Sequence, residues 1–245
     1  MKNFSHPLME NNITSSDVNS LISFLKNNKK RIFTQSKKVI EFEKKWSKWL
    51  GVRYSTFVSS GSSANYISIS ILKVLNKNKY KNEIIVPTLT WISDISSILL
   101  NGFKPIFVDI NLENLSMDID QVLKKINKKT LGIFITHAQG FNGLNDKLLK
   151  AINKHKLYLI EDVCESHGAT YKNKKLGTFG LMSNFSFYYA HHMTTIEGGM
   201  ISTNNKEIYE LSKIFRSHGM ARESKNQSYE NKLIKKFKDL SPQFI

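Results

Sequence analysis

A chain of 245 residues, 40% of them hydrophobic, carries enough apolar side chain for one full core, so a single large domain is the default reading. No apolar run reaches a membrane span, "MKNFSHPLMENN" has no secretory-type apolar stretch, and the lone Cys164 excludes a disulfide framework or a multi-cysteine metal site, so the cytosol is the expected compartment. The net charge of +16 invites a nucleic-acid reading, but the lysines are scattered with asparagine as "KNNKKR", "NKNKYKN", "KKINKK" and "KNKK". That pattern suits solvated faces that would attract an anionic small molecule such as a nucleotide diphosphate, and neither nucleic acid nor a membrane is expected as a partner.

In chain order, "SKKVIEFEKKWSKWL" places apolar residues at helical spacing, and Gly51 is a stop signal. "NYISISIL" (65–72) alternates as a strand would, yet it follows "SSGSSA", which reads as a helix start; a helix is predicted. Strands are then predicted at "EIIVP" (83–87), "PIFVDI" (105–110), "LGIFIT" (131–136), "LYLIED" (157–162), "SNFSFY" (183–188) and "GMIST" (199–203). Helices are predicted at 91–100, 117–126, 144–156 and 206–215. Several strands lack polar alternation, as expected when helices cover both faces of a parallel sheet. The alternation of elements implies an α/β fold with a mostly parallel sheet flanked by helices, and no internal repeat is visible. Three regions follow: an N-terminal helical segment over 1–50 packing on the large domain, the large domain over 51–220, and the start of a connection to a further C-terminal domain over 221–245. The ending "SPQFI" on apolar residues favours a truncated reading frame over a natural terminus.

Three constellations could carry chemistry. In "VSSGSSAN" (58–65) a glycine, serine hydroxyls and a following helix N-terminus together make a phosphate cradle; alone, the stretch also reads as an ordinary glycine–serine loop. "LYLIEDVCESHGA" (157–169) puts Asp162 at the C-terminal end of an apolar strand, where open α/β sheets bind ligands. That carboxylate could cap a helix, hold a proton on a cofactor ring, or join Glu161, Glu165 and His167 around a metal; without a second ligand cluster, no metal is expected. "SFYYAHHMTTIEGGM" (186–200) sets His191 and His192 between an aromatic strand and an acidic–glycine turn.

Four blocks, "SSGSSAN", "VPTLTWISDISSILLNGFKPIFVDI", "LIEDVCESHGATYKNKKLGTFG" and "SFYYAHHMTTIEGGMIST", resemble successive motifs of the DegT/DnrJ/EryC1/StrS family of pyridoxal-phosphate-dependent nucleotide-sugar enzymes. The resemblance spans nearly all of residues 5–222 and implies the type I aminotransferase fold. It implies that Gly61, Ser62 and Ser186 contact the cofactor phosphate, with Ser63 as a further contact. Trp91 would stack on the pyridine ring, its alternative being a core aromatic, and Asp162 would pair with the protonated ring nitrogen.

The chain departs from the family pattern where it matters most. His191 stands where aminotransferases of the family carry the lysine that bonds the cofactor, and Glu165 stands where they usually carry glutamine. Both changes, and "EGG" without a preceding glycine, resemble the histidine-containing 3-dehydratase branch acting on GDP-linked 4-keto-6-deoxymannose. The resemblance implies pyridoxal or pyridoxamine 5'-phosphate held without a covalent bond, His191 as the proton carrier, glutamate as amino donor, and a homodimer serving surface-polysaccharide (O-antigen) assembly. His192 would line the pocket. The cysteine cluster of the iron–sulfur-dependent relatives would fall soon after "RSHGMARES", where this sequence has none. Two other readings stay open: an aminotransferase linked to cofactor through Lys174 or Lys175, and a non-catalytic binding relative.

Overall fold

Five-residue runs of Ile, Val, Leu and Phe bounded by polar turns become the inner strands of the sheet, because only a layer covered on both faces can bury both sides of such runs. The computed structural model describes residues 13–29, 32–224 and 226–236. The predicted strands appear as β2 (Glu83–Pro87), β3 (Lys104–Val108), β4 (Thr130–Thr136), β5 (Tyr158–Asp162), β8 (Met182–Ser186) and β9 (Gly199–Thr203), joined by an edge strand β1 (Tyr54–Val58). They form one seven-stranded sheet in the order β1-β9-β8-β5-β4-β2-β3. All its pairings are parallel except those of β9, which runs antiparallel to both β1 and β8.

Period-two alternation sends successive residues to opposite cores. Ile85, Ile133, Leu159 and Phe185 pack with α2 (Lys37–Leu50), α5 (Ile119–Lys125) and α6 (Asp146–His155). Ile84, Val86, Phe134, Ile160 and Ile201 pack with α3 (Gly61–Leu75), α4 (Ile92–Leu100) and α7 (Lys206–Arg216). Gly51 ends α2 in the left-handed conformation at φ 95°, which a glycine adopts without the Cβ penalty. The Glu43 carboxylate, on α2, receives the Phe57 amide of β1 at 2.8 Å and Arg216 Nη1 of α7 at 2.8 Å, locking three elements together.

The ambiguous segment 65–72 is helical, inside α3. Its strand-like alternation arises because α3 is buried on nearly every side, so serines 68 and 70 are interior too. Their hydroxyls are satisfied, Ser68 donating to Asn184 at 2.7 Å and Ser70 to the Tyr66 carbonyl at 2.8 Å. Sequence reading passed over β1, the helices α1 (Ser15–Asn27) and α8 (Gln227–Lys236), and a small hairpin, β6 (Thr170–Tyr171) with β7 (Lys174–Lys175). The hairpin turns through Lys172 and Asn173, both at positive φ, as a two-residue primed turn requires. The proposed strand 183–188 stops at Ser186, and the chain beyond it becomes the loop to β9. Residues 1–12 and the closing segment 237–245, including "SPQFI", lie outside the described residues. Among the described residues, no helix is long and apolar enough to cross a membrane.

Candidate active site

Strands β1, β2, β4, β5 and β8 run in the same direction, so the loops after them converge at one end of the sheet, the end where open α/β sheets bind ligands. They enclose a cleft of about 790 Å³ lined by Ser60, Gly61, Ser62, Trp91, Asp162, Glu165, Ser186, His191 and His192, among others. All seven site residues read from the sequence meet there. Asp162, Glu165 and Glu197 are its charged groups, and no Lys or Arg is among its described lining residues, so the basic balance of the chain is not expressed in the cleft.

One wall is the N-terminus of α3. Ser60 caps it by accepting the Ser63 amide at 3.0 Å, leaving the Gly61 and Ser62 amides without intrahelical acceptors at the positive end of the helix. Gly61 permits the approach of the loop to β8: a Cβ there would lie 2.7 Å from Ser186 Cβ and 2.9 Å from Cys164 Sγ. The second glycine of "EGG" does the same from β9, since a Cβ on Gly199 would meet the Ser60 carbonyl oxygen at 2.2 Å. Two free amides, the Ser62 side chain and the Ser186 hydroxyl thus form a cradle that suits a phosphate group. Ser63 does not join it; its hydroxyl bonds with those of Ser59 and Ser60 at 2.8 and 3.0 Å.

Asp162 ends β5 almost fully buried. The Cys164 amide donates to its Oδ1 at 2.9 Å and Asn65 Nδ2 to its Oδ2 at 3.1 Å. A buried carboxylate with so few donors retains the capacity to hold a proton on a basic ring. Trp91 is the N-cap residue of α4 and is 65% exposed, so it is not the core aromatic that its size allows; it presents a rigid aromatic wall to the cleft. Glu165 accepts the Gln139 amide at 3.0 Å, and Gln139 sits at φ 53°, a conformation uncommon outside glycine, inside a short 3-10 turn over 138–140.

His191 lies in the loop 187–198, pinned at its base where the Phe187 amide donates to the Gly198 carbonyl at 2.8 Å and the Thr195 amide to the Phe187 carbonyl at 3.0 Å. Its imidazole packs near Tyr188 and His167, with ring centroids at 6.2 and 6.3 Å. Burial lowers its pKa below the ordinary histidine value; the charges of Glu165 and Asp162 oppose the shift and His192 adds to it. The ring is therefore neutral near pH 7 and can accept a proton.

The neighbours weighed as metal ligands are otherwise engaged. Glu161 points to the opposite face, accepting the amides of Gly177, Phe179 and Gly180 at 2.8, 2.9 and 2.6 Å and facing His137 Nε2 at 3.2 Å. His137 Nδ1 accepts the Gly143 amide at 3.1 Å, so its proton is on Nε2. His167 packs edge-on against Trp46, Phe185 and Phe187; burial first, then His192 and His191, push its pKa down to about 3, against a hydrogen bond to the Ser186 backbone. Lys174 and Lys175 sit on β7, Lys175 over the Trp49 ring at 5.1 Å, and neither lines the cleft.

Sequence reading missed Asn65, whose Nδ2 bridges Asp162 and Asp94, and the Thr90 and Thr136 hydroxyls that bond to Asp94. The available signal was a lone acidic residue, Asp94, in the otherwise apolar and small-residue helix "ISDISSILL".

Residues 12–238 match the DegT/DnrJ/EryC1/StrS aminotransferase family. GDP-4-keto-6-deoxy-D-mannose 3-dehydratase of Escherichia coli O55:H7 is 38% identical over 194 residues, covering 78% of this chain and 50% of that protein. GDP-perosamine synthase of Escherichia coli O157:H7 is 36% identical over 181 residues, covering 74% and 49%. A solved GDP-4-keto-6-deoxymannose-3-dehydratase with a trapped PLP-glutamate geminal diamine superposes with TM-score 0.82 at 34% identity, covering 89% of this chain and 56% of that one. The chain thus spans about half the length of the curated relatives it matches. By motif, fold and extent of match, it belongs to the DegT/DnrJ/EryC1/StrS aminotransferase family.

Proposed function

We propose that the protein is a pyridoxal/pyridoxamine-phosphate-dependent 3-dehydratase of a nucleotide-linked 4-keto-6-deoxyhexose, with the GDP-linked mannose derivative as the first substrate to try. The observation that carries this reading is a cleft that combines Asp162, Trp91 and the α3 cradle with His191 and has no lysine among its described lining residues. The Gly61 and Ser62 amides and the Ser186 hydroxyl would hold the cofactor phosphate, Trp91 would cover one ring face, and Asp162 would hold the ring-nitrogen proton. Bound as the amine, the cofactor supplies a group that condenses with the sugar ketone and a ring that takes up an electron pair. His191, neutral near pH 7, would take up a proton on its ring and return one to the hydroxyl that departs from C3. Glu165, fixed by the Gln139 amide, borders the same space. Glutamate as the amine source, a homodimer, a cytoplasmic setting and a role in surface polysaccharide belong to the same proposal. So do the three sequence regions 1–50, 51–220 and 221–245. The aminotransferase reading needs a lysine at the cofactor, and Lys174 and Lys175 lie away from the cleft.

The test uses the full chain. Loaded with pyridoxal phosphate and reduced with borohydride, it should yield no pyridoxyl-lysine by mass spectrometry. With pyridoxamine phosphate and GDP-4-keto-6-deoxymannose it should release water from the sugar, and His191→Ala should slow that reaction about 10²–10⁴-fold. A lysine adduct, or undiminished turnover in the variant, would overturn the proposal.

A further inference from the structure

Behind Asp162 lies a second carboxylate, Asp94 of α4, that is fully buried. Asn65 Nδ2 joins the two, donating to Asp94 Oδ1 at 2.6 Å and to Asp162 Oδ2 at 3.1 Å. The amide is oriented from its other side: Asn184 Nδ2 donates to Asn65 Oδ1 at 2.9 Å, and Ser68 donates to Asn184 Oδ1 at 2.7 Å. The flipped arrangement would turn an amide oxygen towards two carboxylates. Among the described ion pairs, none gives Asp94 or Asp162 a Lys or Arg partner. Two neighbouring buried carboxylates without a cation favour a proton on one of them.

Oxygen geometry says where that proton resides. Asp94 Oδ2, Thr90 Oγ1 and Thr136 Oγ1 form a triangle with edges of 2.5, 2.6 and 3.0 Å. Three hydrogen-bonded edges need three protons, and the two hydroxyls supply two. The third comes from the carboxyl itself if Asp94 is neutral. Burial, followed by the charge of Asp162, drives the Asp94 carboxyl well above the usual carboxylate range, in the same direction.

We propose that Asp94 is a positioning residue: a carboxylic acid that keeps its proton at neutral pH and, with Asn65, leaves the pair a single negative charge carried at the cleft by Asp162. The part concerning the cofactor rests on the function proposed above. Asp94 does not line the cleft and acts only through its neighbours.

Infrared difference spectroscopy of the full chain without cofactor tests the proton directly. Wild type minus Asp94→Asn at pH 7 should show a protonated-carboxyl C=O band that shifts in heavy water; its absence would overturn the proposal. The positioning role is read from pyridoxal phosphate titrations followed by absorbance. Asp94→Ala should weaken binding about tenfold, the effect of one lost buried hydrogen bond, and shift the pH dependence of the bound absorption band. Asp94→Asn, neutral and able to donate, should restore most of both. If Asp94→Asn fell as far as Asp94→Ala, or if Asp94→Ala changed neither, the positioning role would be rejected. A wild-type chain that shows the infrared band yet takes up no pyridoxal phosphate would sink the functional reading and leave the proton on Asp94 standing.

Discussion

Glu161 and Asp162 are adjacent on one strand, both buried, and do different work. The pleat sends Glu161 into the side of the sheet where three backbone amides and His137 saturate it. Its acceptor sites are filled by the 177–180 loop on three sides and by His137 on the fourth, so this carboxylate is structural. Asp162, one residue on, faces the cleft with one backbone amide, a shared side-chain amide and a carboxyl neighbour in Asp94. Saturation makes a carboxylate a fastener; incomplete saturation at a cleft leaves it able to hold a proton for something else.

The sharpest way to break that contrast is to neutralise each in turn. Asp162→Asn should leave the melting temperature nearly unchanged while cutting turnover about 10²–10⁴-fold, the range of a well-placed proton-holding group. Glu161→Gln should do the reverse, costing about 3 kcal/mol in urea unfolding as charge-assisted bonds to backbone amides are lost. If both variants lost stability equally, the division of roles would be wrong.

A smaller effect comes from His167, buried against the aromatic side of the cleft. The unfolded imidazole gains a proton below its ordinary value near 6.5, whereas the folded ring refuses one until about 3. The stability it contributes is therefore complete above pH ~6.5 and is lost as pH falls towards 3, by up to about 1.4 kcal/mol per pH unit. His191, shifted in the same direction, adds to the slope. Urea midpoints at pH 7.5 and 5.5 should separate in the wild type and draw together in His167→Asn; equal separation in both would reject the assignment. Smallest is Trp91→Ala. Because the indole is exposed, stability should move by less than about 0.5 kcal/mol, while pyridoxal phosphate binding should weaken by about 1 kcal/mol through lost ring contact.

Much of the site was legible because it is local. Gly61 and Ser62 sit at a helix start, Asp162 at a strand end and Ser186 at the next, and strand ends in a parallel sheet meet at one edge. The α3 segment was legible only through its start signal, since burial on nearly all sides erased its amphipathic pattern. β1 escaped because "YSTFV" sets Ser55 and Thr56 side by side and so shows neither an apolar run nor alternation, and the β6–β7 hairpin because its strands are two residues long. Asp94 escaped for another reason: its partners Asn65, Thr136 and Asp162 are 29, 42 and 68 positions away, and no local pattern encodes such a meeting.

The sequence alone determined which residues stand at strand ends, that a histidine occupies position 191, and that the fold is α/β with a mostly parallel sheet. Those are matters of residue type and short-range periodicity. Only the tertiary structure decided that Glu161 is a fastener and Asp162 a cleft group, that the lysines of β7 lie elsewhere, and that Asp94 stands behind Asp162. The pleat, the crossovers and the exclusion of water set those outcomes, and they act on residues that the chain order keeps apart.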